Sequence, residues 1–186
     1  GTEQVYEYAK NKDIPIMFFV NKIDDNRASY EKTLEEMKAV FGKAVTPFVY
    51  PIREGDEFKG FVDIVDMTAR RYEGTDRVDI PVPDGMADIV APLRDMIMEA
   101  IASTDEELMV KYFNEEEFTV DEIKQAIRKG VKDGSIYPVY CGSGQDNIGV
   151  RSLMDGIGKY LPSPSEIQEV GRKADTAEPV ELVQTE

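Results

Sequence analysis

Histidine is absent from this 186-residue chain, and cysteine occurs once, at Cys141. No mechanism that uses histidine as a general base or a metal ligand can therefore operate within the chain. A single cysteine excludes an internal disulfide, which fits a reducing compartment. No apolar run is long enough to span a bilayer, and residues 1–4 show no basic, apolar leader. These features predict a cytoplasmic protein without a membrane partner.

Positive charge is also scarce, with 22 basic against 37 acidic residues and a formal net charge of -15. Direct nucleic-acid binding needs a basic face, so the chain as a whole is not expected to bind nucleic acid. Apolar residues make up 41% of the sequence. This content and length predict a soluble, globular protein with a real core.

The most informative pattern is an apolar run, residues 14–20, that ends in Asn21-Lys22-Ile23-Asp24. The run predicts a buried strand of a parallel sheet, and ligands bind outside the carboxyl ends of such strands. Asp24 offers two adjacent acceptor oxygens for the two adjacent donors of guanine, which adenine does not have. Asn21 could bond the other edge of the base or tie neighbouring loops together, and Lys22 could lay its methylene stem over the ring. The alternative is a polar turn after a strand.

A second strand pattern, residues 136–141, runs into Gly142-Ser143-Gly144. Small residues there would let the backbone approach a ligand, and an N–H could donate to the guanine carbonyl oxygen. A plain strand-to-helix turn is the alternative. Pro138 cannot donate to a ladder, so the sequence predicts an edge strand. Asp24 and Ile136 are 112 positions apart, far more than a simple crossover needs, which predicts an inserted subdomain.

The other segments predict an antiparallel sheet followed by helices. Residues 3–12 suit a helix with Val5, Tyr8 and Ala9 on one face. Strand-like content covers 45–52, 58–65 and 67–72, with separators at 54–56 and 73–75. A long amphipathic helix follows Pro83, Thr119 and Glu122 form a capping-box signature, and a last helix uses the apolar residues Val150, Leu153, Met154, Ile157 and Leu161. Residues 165–186 show no period and suit a linker.

Several stretches resemble elongation factor G, and they keep the family's order along the chain. The stretches are 19–24 (Phe-Val-Asn-Lys-Ile-Asp), 61–65 (Phe-Val-Asp-Ile-Val), 106–112 (Glu-Glu-Leu-Met-Val-Lys-Tyr), 140–144 (Tyr-Cys-Gly-Ser-Gly) and 161–164 (Leu-Pro-Ser-Pro), with 1–3 (Gly-Thr-Glu) similar to paralogues. The resemblance implies an α/β fold, the C-terminal part of a P-loop GTPase parallel sheet with an inserted α+β subdomain. It implies GTPase segments at 1–42 and 135–164, an insert at 43–134 and a linker at 165–186.

By the same resemblance, Asn21, Lys22, Asp24, Ser143 and Gly144 would bind the guanine of GTP or GDP. The family usually has alanine and an aromatic residue where this chain has Gly144 and Gln145, so local packing should differ. The complete protein would promote GTP-dependent translocation on the ribosome, and the insert would face the ribosomal stalk protein. Residues 105–133 carry nine acidic and five basic residues, a net charge of 5 − 9 = −4, which suits a protein-facing role or a solvated helical face.

The sequence contains no Gly-x-x-x-x-Gly-Lys-Ser/Thr motif to cradle phosphates and no switch segments to hold Mg²⁺. No catalytic or metal-binding residue is therefore assigned within the chain. Both elements are expected upstream of Gly1 in a complete protein, so this chain is not expected to hydrolyse GTP alone. The alternatives are a ribosomal protection protein, a release-factor GTPase and a non-catalytic interaction module.

Overall fold

The computed structural model describes residues 1–55, 57–73, 76–166, 169–172 and 179–182. Within them the chain alternates helices and strands. The helices are α1 (Thr2–Lys10), α2 (Tyr30–Phe41), α3 (Ala87–Ala102), α4 (Glu106–Phe113), α5 (Val120–Asp133) and α6 (Val150–Tyr160). The strands are β1 (Phe18–Val20), β2 (Val45–Pro47), β3 (Val49–Glu54), β4 (Glu57–Asp63), β5 (Thr68–Glu73), β6 (Asp76–Ile80), β7 (Tyr137–Cys141), β8 (Glu169–Arg172) and β9 (Pro179–Leu182).

A three-stranded parallel sheet, in the order β1-β7-β2, carries the two sequence motifs at its carboxyl edge. The prediction that Pro138 marks an edge strand is wrong, because β7 pairs with β1 on one side and β2 on the other. Tyr137 N–H donates to Ala44, on the β2 side, whereas Gly142 N–H donates to Val20, on the β1 side. Because successive N–H groups along β7 point alternately to β2 and β1, the position where Pro138 lacks an N–H faces β1. It lies ahead of Phe18, where the pairing of β1 with β7 begins.

A separate antiparallel sheet, in the order β3-β4-β5-β6, confirms the predicted α/β class with a second sheet. The stretch 45–52 is not one strand, however. β2 pairs with β7, and the chain joins the antiparallel sheet only from Val49. The fourth strand, β6, was not predicted, because its polar sequence gives a weak alternation. Of the predicted separators, Asp56, Gly74 and Thr75 lie outside the described residues.

Phe48 connects the two sheets. Its N–H donates to Val139 in the parallel sheet at 3.0 Å, and its carbonyl accepts from Ile64 beyond β4 at 2.9 Å. Its side chain is buried in a core shared with Phe61 and Ile127. Full burial of such a side chain contributes about 1.5–3 kcal/mol. The sheets therefore share one hydrophobic core.

Two helices bury only part of the face that the sequence predicts. In α1, Tyr6 and Ala9 are buried, whereas Val5 and Tyr8 are 68% and 63% exposed. In α6, Gly156 and Tyr160 are among the buried residues. The predicted Leu153 and Leu161 pack partly against the core, whereas Met154 and Ile157 are 60% and 37% exposed. In both helices, apolar side chains on the exposed face shifted the predicted apolar face away from the observed one.

The Thr119–Glu122 capping box at the start of α5 is confirmed by hydrogen bonds in both directions. Within 165–186, for which the sequence indicates no period, β8 and β9 form an antiparallel pair. Across the described residues, none of the helices combines the length and the apolar character needed to cross a bilayer.

Candidate functional site

The first predicted loop begins where β1 ends. Asn21, Lys22 and Asp24 are exposed, whereas Ile23 between them is buried at 1% exposure. Lys22 has φ +59°, a left-handed conformation that is uncommon outside glycine. The buried Ile23 anchors the turn, and the polar residues on either side of it face solvent.

The second loop follows β7 and closes on itself. Ser143 exchanges two backbone hydrogen bonds with Ile148, at 2.9 and 3.0 Å. Its hydroxyl donates to the Asp146 carboxylate and accepts from the Asp146 N–H, each at 3.2 Å. Ser143 is 1% exposed, so its side chain shapes the loop from inside. Gly144, the next residue, is exposed.

Three hydrogen bonds join the two loops, although they are more than a hundred residues apart in sequence. Gly142 N–H donates to the Val20 carbonyl at 3.0 Å, and Ile23 N–H donates to the Gly142 carbonyl at 3.1 Å. Gly144 N–H then donates to Oδ1 of Asn21 at 2.9 Å. The first two extend the parallel ladder beyond the strands, and the third is made by a side chain. The loops that the sequence predicts to act together are therefore in contact.

This contact agrees with the second of the two roles predicted for Asn21, tying neighbouring loops together. It also occupies the Gly144 N–H that was expected to donate to a guanine carbonyl oxygen. An approaching carbonyl oxygen would share that N–H with Asn21 or displace it. Lys22 and Asp24 remain exposed beside the junction.

The two glycines of the second loop meet different surroundings. A Cβ on Gly142 would lie 2.2 Å from the Ile148 carbonyl oxygen and 2.9 Å from Phe19 Cζ. A Cβ on Gly144 would lie 3.4 Å from Asn21 Oδ1, an ordinary contact. Glycine is therefore required at 142 for close backbone approach, whereas alanine, the usual family residue, fits at 144.

Two side chains of the antiparallel sheet also reach the loops, and neither was identified from the sequence. Arg53 on β3 donates through Nη2 to the backbone carbonyls of Ile23 and Asp25. The Tyr72 hydroxyl on β5 accepts from Gly149 N–H at 3.2 Å, at the end of the second loop. Hydrogen bonds to backbone atoms require no particular residue type at the partner position, so the sequence gives no signal for these contacts.

The neighbouring carboxylate, Asp25, is engaged locally. Arg27 donates to it through Nη2 and Nε, at 2.9 and 3.1 Å, and through its backbone N–H at 2.9 Å. The Arg27 side-chain bonds, followed by the backbone bond, lower the pKa of Asp25 to about 2. Asp24, by contrast, is exposed.

The described residues do not support a reactive cysteine or a metal site. Cys141 is 1% exposed, and burial raises the pKa of its thiol, as expected for a core residue rather than a nucleophile. Among the described residues, no group of three or more cysteine, aspartate or glutamate side chains is placed to hold a metal ion.

Comparison with known proteins gives two findings. The family described as the elongation factor Tu GTP binding domain matches residues 1–163. A crystal structure of a protein from Thermus thermophilus superposes with a TM-score of 0.82 and 34% sequence identity over 89% of this chain. The match covers 25% of that protein, so this chain spans about a quarter of its length.

Proposed function

We propose that the chain supplies guanine recognition, because it belongs to the family of elongation factor Tu GTP-binding domains. This family of translational GTPases bears out the sequence resemblance to the elongation factor G type. The observation that carries the proposal is the Gly144–Asn21 hydrogen bond. It joins two loops 123 positions apart at the carboxyl edge of a parallel sheet, where such folds bind ligands. Asp24 is exposed beside this junction.

Base selection rests on Asp24. Its carboxylate would accept from the ring N–H and the exocyclic amine of guanine, a donor pair that adenine lacks. A hydrogen bond to a charged group contributes about 1.5–3 kcal/mol, and losing both with the wrong base rejects adenine strongly. The Lys22 stem would cover the ring face. Ser143 supports the base contact indirectly, because its bonds to Ile148 and Asp146 hold Gly144 in place.

A nucleotide titration of the ¹⁵N-labelled chain tests the proposal. GDP at millimolar concentration should shift the backbone amide signals of Ile23 and Gly144, whereas ADP should not. Weak binding is expected, because phosphate-binding amides supply much of the affinity in complete sites and this sequence lacks the phosphate-cradling motif. Guanosine should produce the same shifts, since the contacts are made to the base.

Asp24→Asn, with Asp25→Asn as the matched control, provides the decisive comparison. Asp24→Asn should weaken GDP binding at least about tenfold, the equivalent of one charged hydrogen bond. It should favour xanthosine diphosphate, whose second carbonyl accepts from the asparagine amide. Asp25→Asn removes the same charge one residue away and should leave GDP binding within about threefold. Equal effects of the two substitutions, or equal responses to GDP and ADP, would refute base reading by Asp24.

For the complete protein we propose GTP-dependent translocation on the ribosome, with Mg²⁺ and the catalytic groups supplied by segments outside this sequence. The chain alone should therefore release no phosphate from GTP. Magnesium-dependent turnover by the purified chain, abolished by Asp24→Asn, would contradict this assignment.

A second surface, on the helical part of the proposed insert at 43–134, supports a protein partner. A groove of about 700 Å³ lies between α3, α4 and α5. Its rim carries Glu115, Glu116 and Glu117, and Phe113 beside them is 76% exposed. An acidic rim around an exposed aromatic ring suits a partner with a basic, partly apolar face, and we propose the ribosomal stalk protein as that partner.

Phe113→Ser tests the groove separately from the nucleotide site. It should weaken binding of the stalk protein at least about tenfold, as loss of an aromatic anchor typically does, and leave the GDP-induced shifts unchanged. Val120→Ser, at an apolar side chain that is equally exposed at 76% and outside the groove lining, is the control. Unchanged binding by Phe113→Ser would refute the assignment.

A further inference from the structure

We propose that Arg53 and Tyr72 are positioning residues of the guanine site, so that base selectivity depends on how the antiparallel sheet docks behind the two loops. The proposal rests on the guanine-binding function proposed above. Neither side chain belongs to the base-reading motifs, and each acts through backbone atoms of a loop.

Arg53 holds the first loop on both sides of the base-reading residue. Its Nη2 group donates to the carbonyl of Ile23 and, at 3.2 Å, to that of Asp25. These two residues flank Asp24. Both bonds come from one planar guanidinium, so the peptide group before Asp24 and the peptide group after Asp25 are fixed to the same rigid group. Rotation of this turn, which would swing the Asp24 carboxylate, must break these bonds.

Tyr72 holds the second loop at its far end. Its hydroxyl accepts from Gly149 N–H at 3.2 Å, and Gly149 follows Ile148, the residue that pairs with Ser143 in both directions. A Cβ on Gly149 would lie 2.5 Å from the Cys141 carbonyl oxygen, so the loop base is closely packed there. The Tyr72 contact therefore acts on the hairpin that presents Gly144.

Both positioning residues project from one sheet. Arg53 lies on β3 and Tyr72 on β5, and β4 pairs with each of these strands. Arg77 on this sheet pairs with Asp155 of α6 at 3.6 Å, and Asp66, in the turn between β4 and β5, pairs with Lys159 of α6 at 3.7 Å. Because Arg53 bonds the first loop and Tyr72 the second, a shift of the sheet would pull on each loop separately and change the alignment of Asp24 with Gly144. Selectivity for guanine should therefore depend on the position of this sheet behind the loops.

The test compares GDP with inosine diphosphate, which lacks the exocyclic amine, in Arg53→Met and Tyr72→Phe. Misalignment of Asp24 should remove its second hydrogen bond first, because the two bonds require one carboxylate orientation. Arg53→Met should therefore reduce the GDP preference over inosine diphosphate at least fivefold. Tyr72→Phe acts on Gly144 and hence on the carbonyl oxygen that both bases carry, so it should weaken binding of both nucleotides at least twofold. Amide hydrogen exchange at Ile23 and Gly149 should accelerate in the respective variants.

Arg71→Met is the matched control, since Arg71 lies on the same sheet and pairs with Glu54 at 2.7 Å. It should leave both the nucleotide preference and the loop exchange rates unchanged. Arg53→Lys, which retains a donor, should recover part of the preference and replaces Arg53→Met if that variant does not fold. Variants that match Arg71→Met in both readouts would overturn the positioning roles. Absence of any GDP response in the unsubstituted chain would instead refute guanine binding, while the exchange rates would still decide whether Arg53 and Tyr72 fix the loops.

Discussion

Alanine at Gly142 and alanine at Gly144 should change stability in opposite directions, although the two positions are close neighbours in sequence. At Gly142 the added Cβ would lie 2.2 Å from the Ile148 carbonyl oxygen and 2.9 Å from Phe19 Cζ. The first neighbour is backbone and cannot rotate away. The same oxygen accepts the Ser143 N–H at 2.9 Å, so moving it also weakens the closure of the loop.

The magnitudes follow from these contacts. Overpacking a filled site costs about 1–3 kcal/mol, and a disrupted hydrogen bond adds about 1 kcal/mol. Gly142→Ala should therefore lower the free energy of unfolding by about 2–4 kcal/mol, which for a chain of this size lowers Tm by about 5–15 °C. At Gly144 the Cβ would make an ordinary 3.4 Å contact with Asn21. Gly144→Ala should raise the free energy of unfolding by about 0.4–1 kcal/mol, because it restricts the unfolded chain.

Urea denaturation and thermal melting of the two variants and the unsubstituted chain provide the measurement. Amide exchange adds a local readout. The Gly144 amide should exchange faster in Gly142→Ala, because the displaced loop loses its bond to Asn21. Equal changes in the urea midpoint for the two substitutions, or a more stable Gly142→Ala, would refute the description of how the loops pack.

Two further expectations concern titratable groups. The hydrogen bond from Lys111, followed by the one from Thr119 N–H, lowers the pKa of Glu122 to about 2 from an ordinary 4.5, so its contribution to stability is complete above about pH 4.5 and lost as pH falls toward 2. Glu122→Gln should flatten this acid limb in urea midpoints measured from about pH 2 to 5, and an unchanged slope would contradict the linkage. Burial raises the pKa of Cys141, so Ellman's reagent should label the thiol only after unfolding, and rapid labelling of the native chain would show an open core.

Strong local signals predicted much of the fold. The last three residues of the apolar run before Asn21 form a parallel strand, although they are half-buried rather than buried as predicted, and the Thr119–Glu122 capping box opens α5 as expected. Where the sequence misled, tertiary packing decided the outcome. Tyr6 rather than Tyr8 is buried in α1 because its ring packs against Phe41 and Tyr137. The sequence alone does not show on which side of a helix such partners lie.

The candidate site was likewise predicted from the sequence only in part. The spacing and residue types of the two motifs predicted which loops would act together, and the Gly144–Asn21 contact agrees with that pairing. Arg53 and Tyr72 could not be predicted from the sequence, because they hydrogen-bond to backbone groups of Ile23 and Gly149. Any residue type at these two positions offers the same groups. The inward orientation of Ser143 also depends on Asp146 and Ile148, whose participation follows from the loop's path.

The position of β7 between β1 and β2 has a consequence for synthesis of the chain. The turn from β3 to β4 closes a local hairpin, in which Glu54 pairs with Glu57, so the antiparallel sheet can assemble as soon as it emerges. β1 and β2 must wait for a strand that begins at Tyr137, and closing so long a loop is slow. The nucleotide-reading junction is therefore expected to be the last part of the molecule to mature. Nascent chains that stop before β7 should contain a folded antiparallel sheet that has no affinity for guanine.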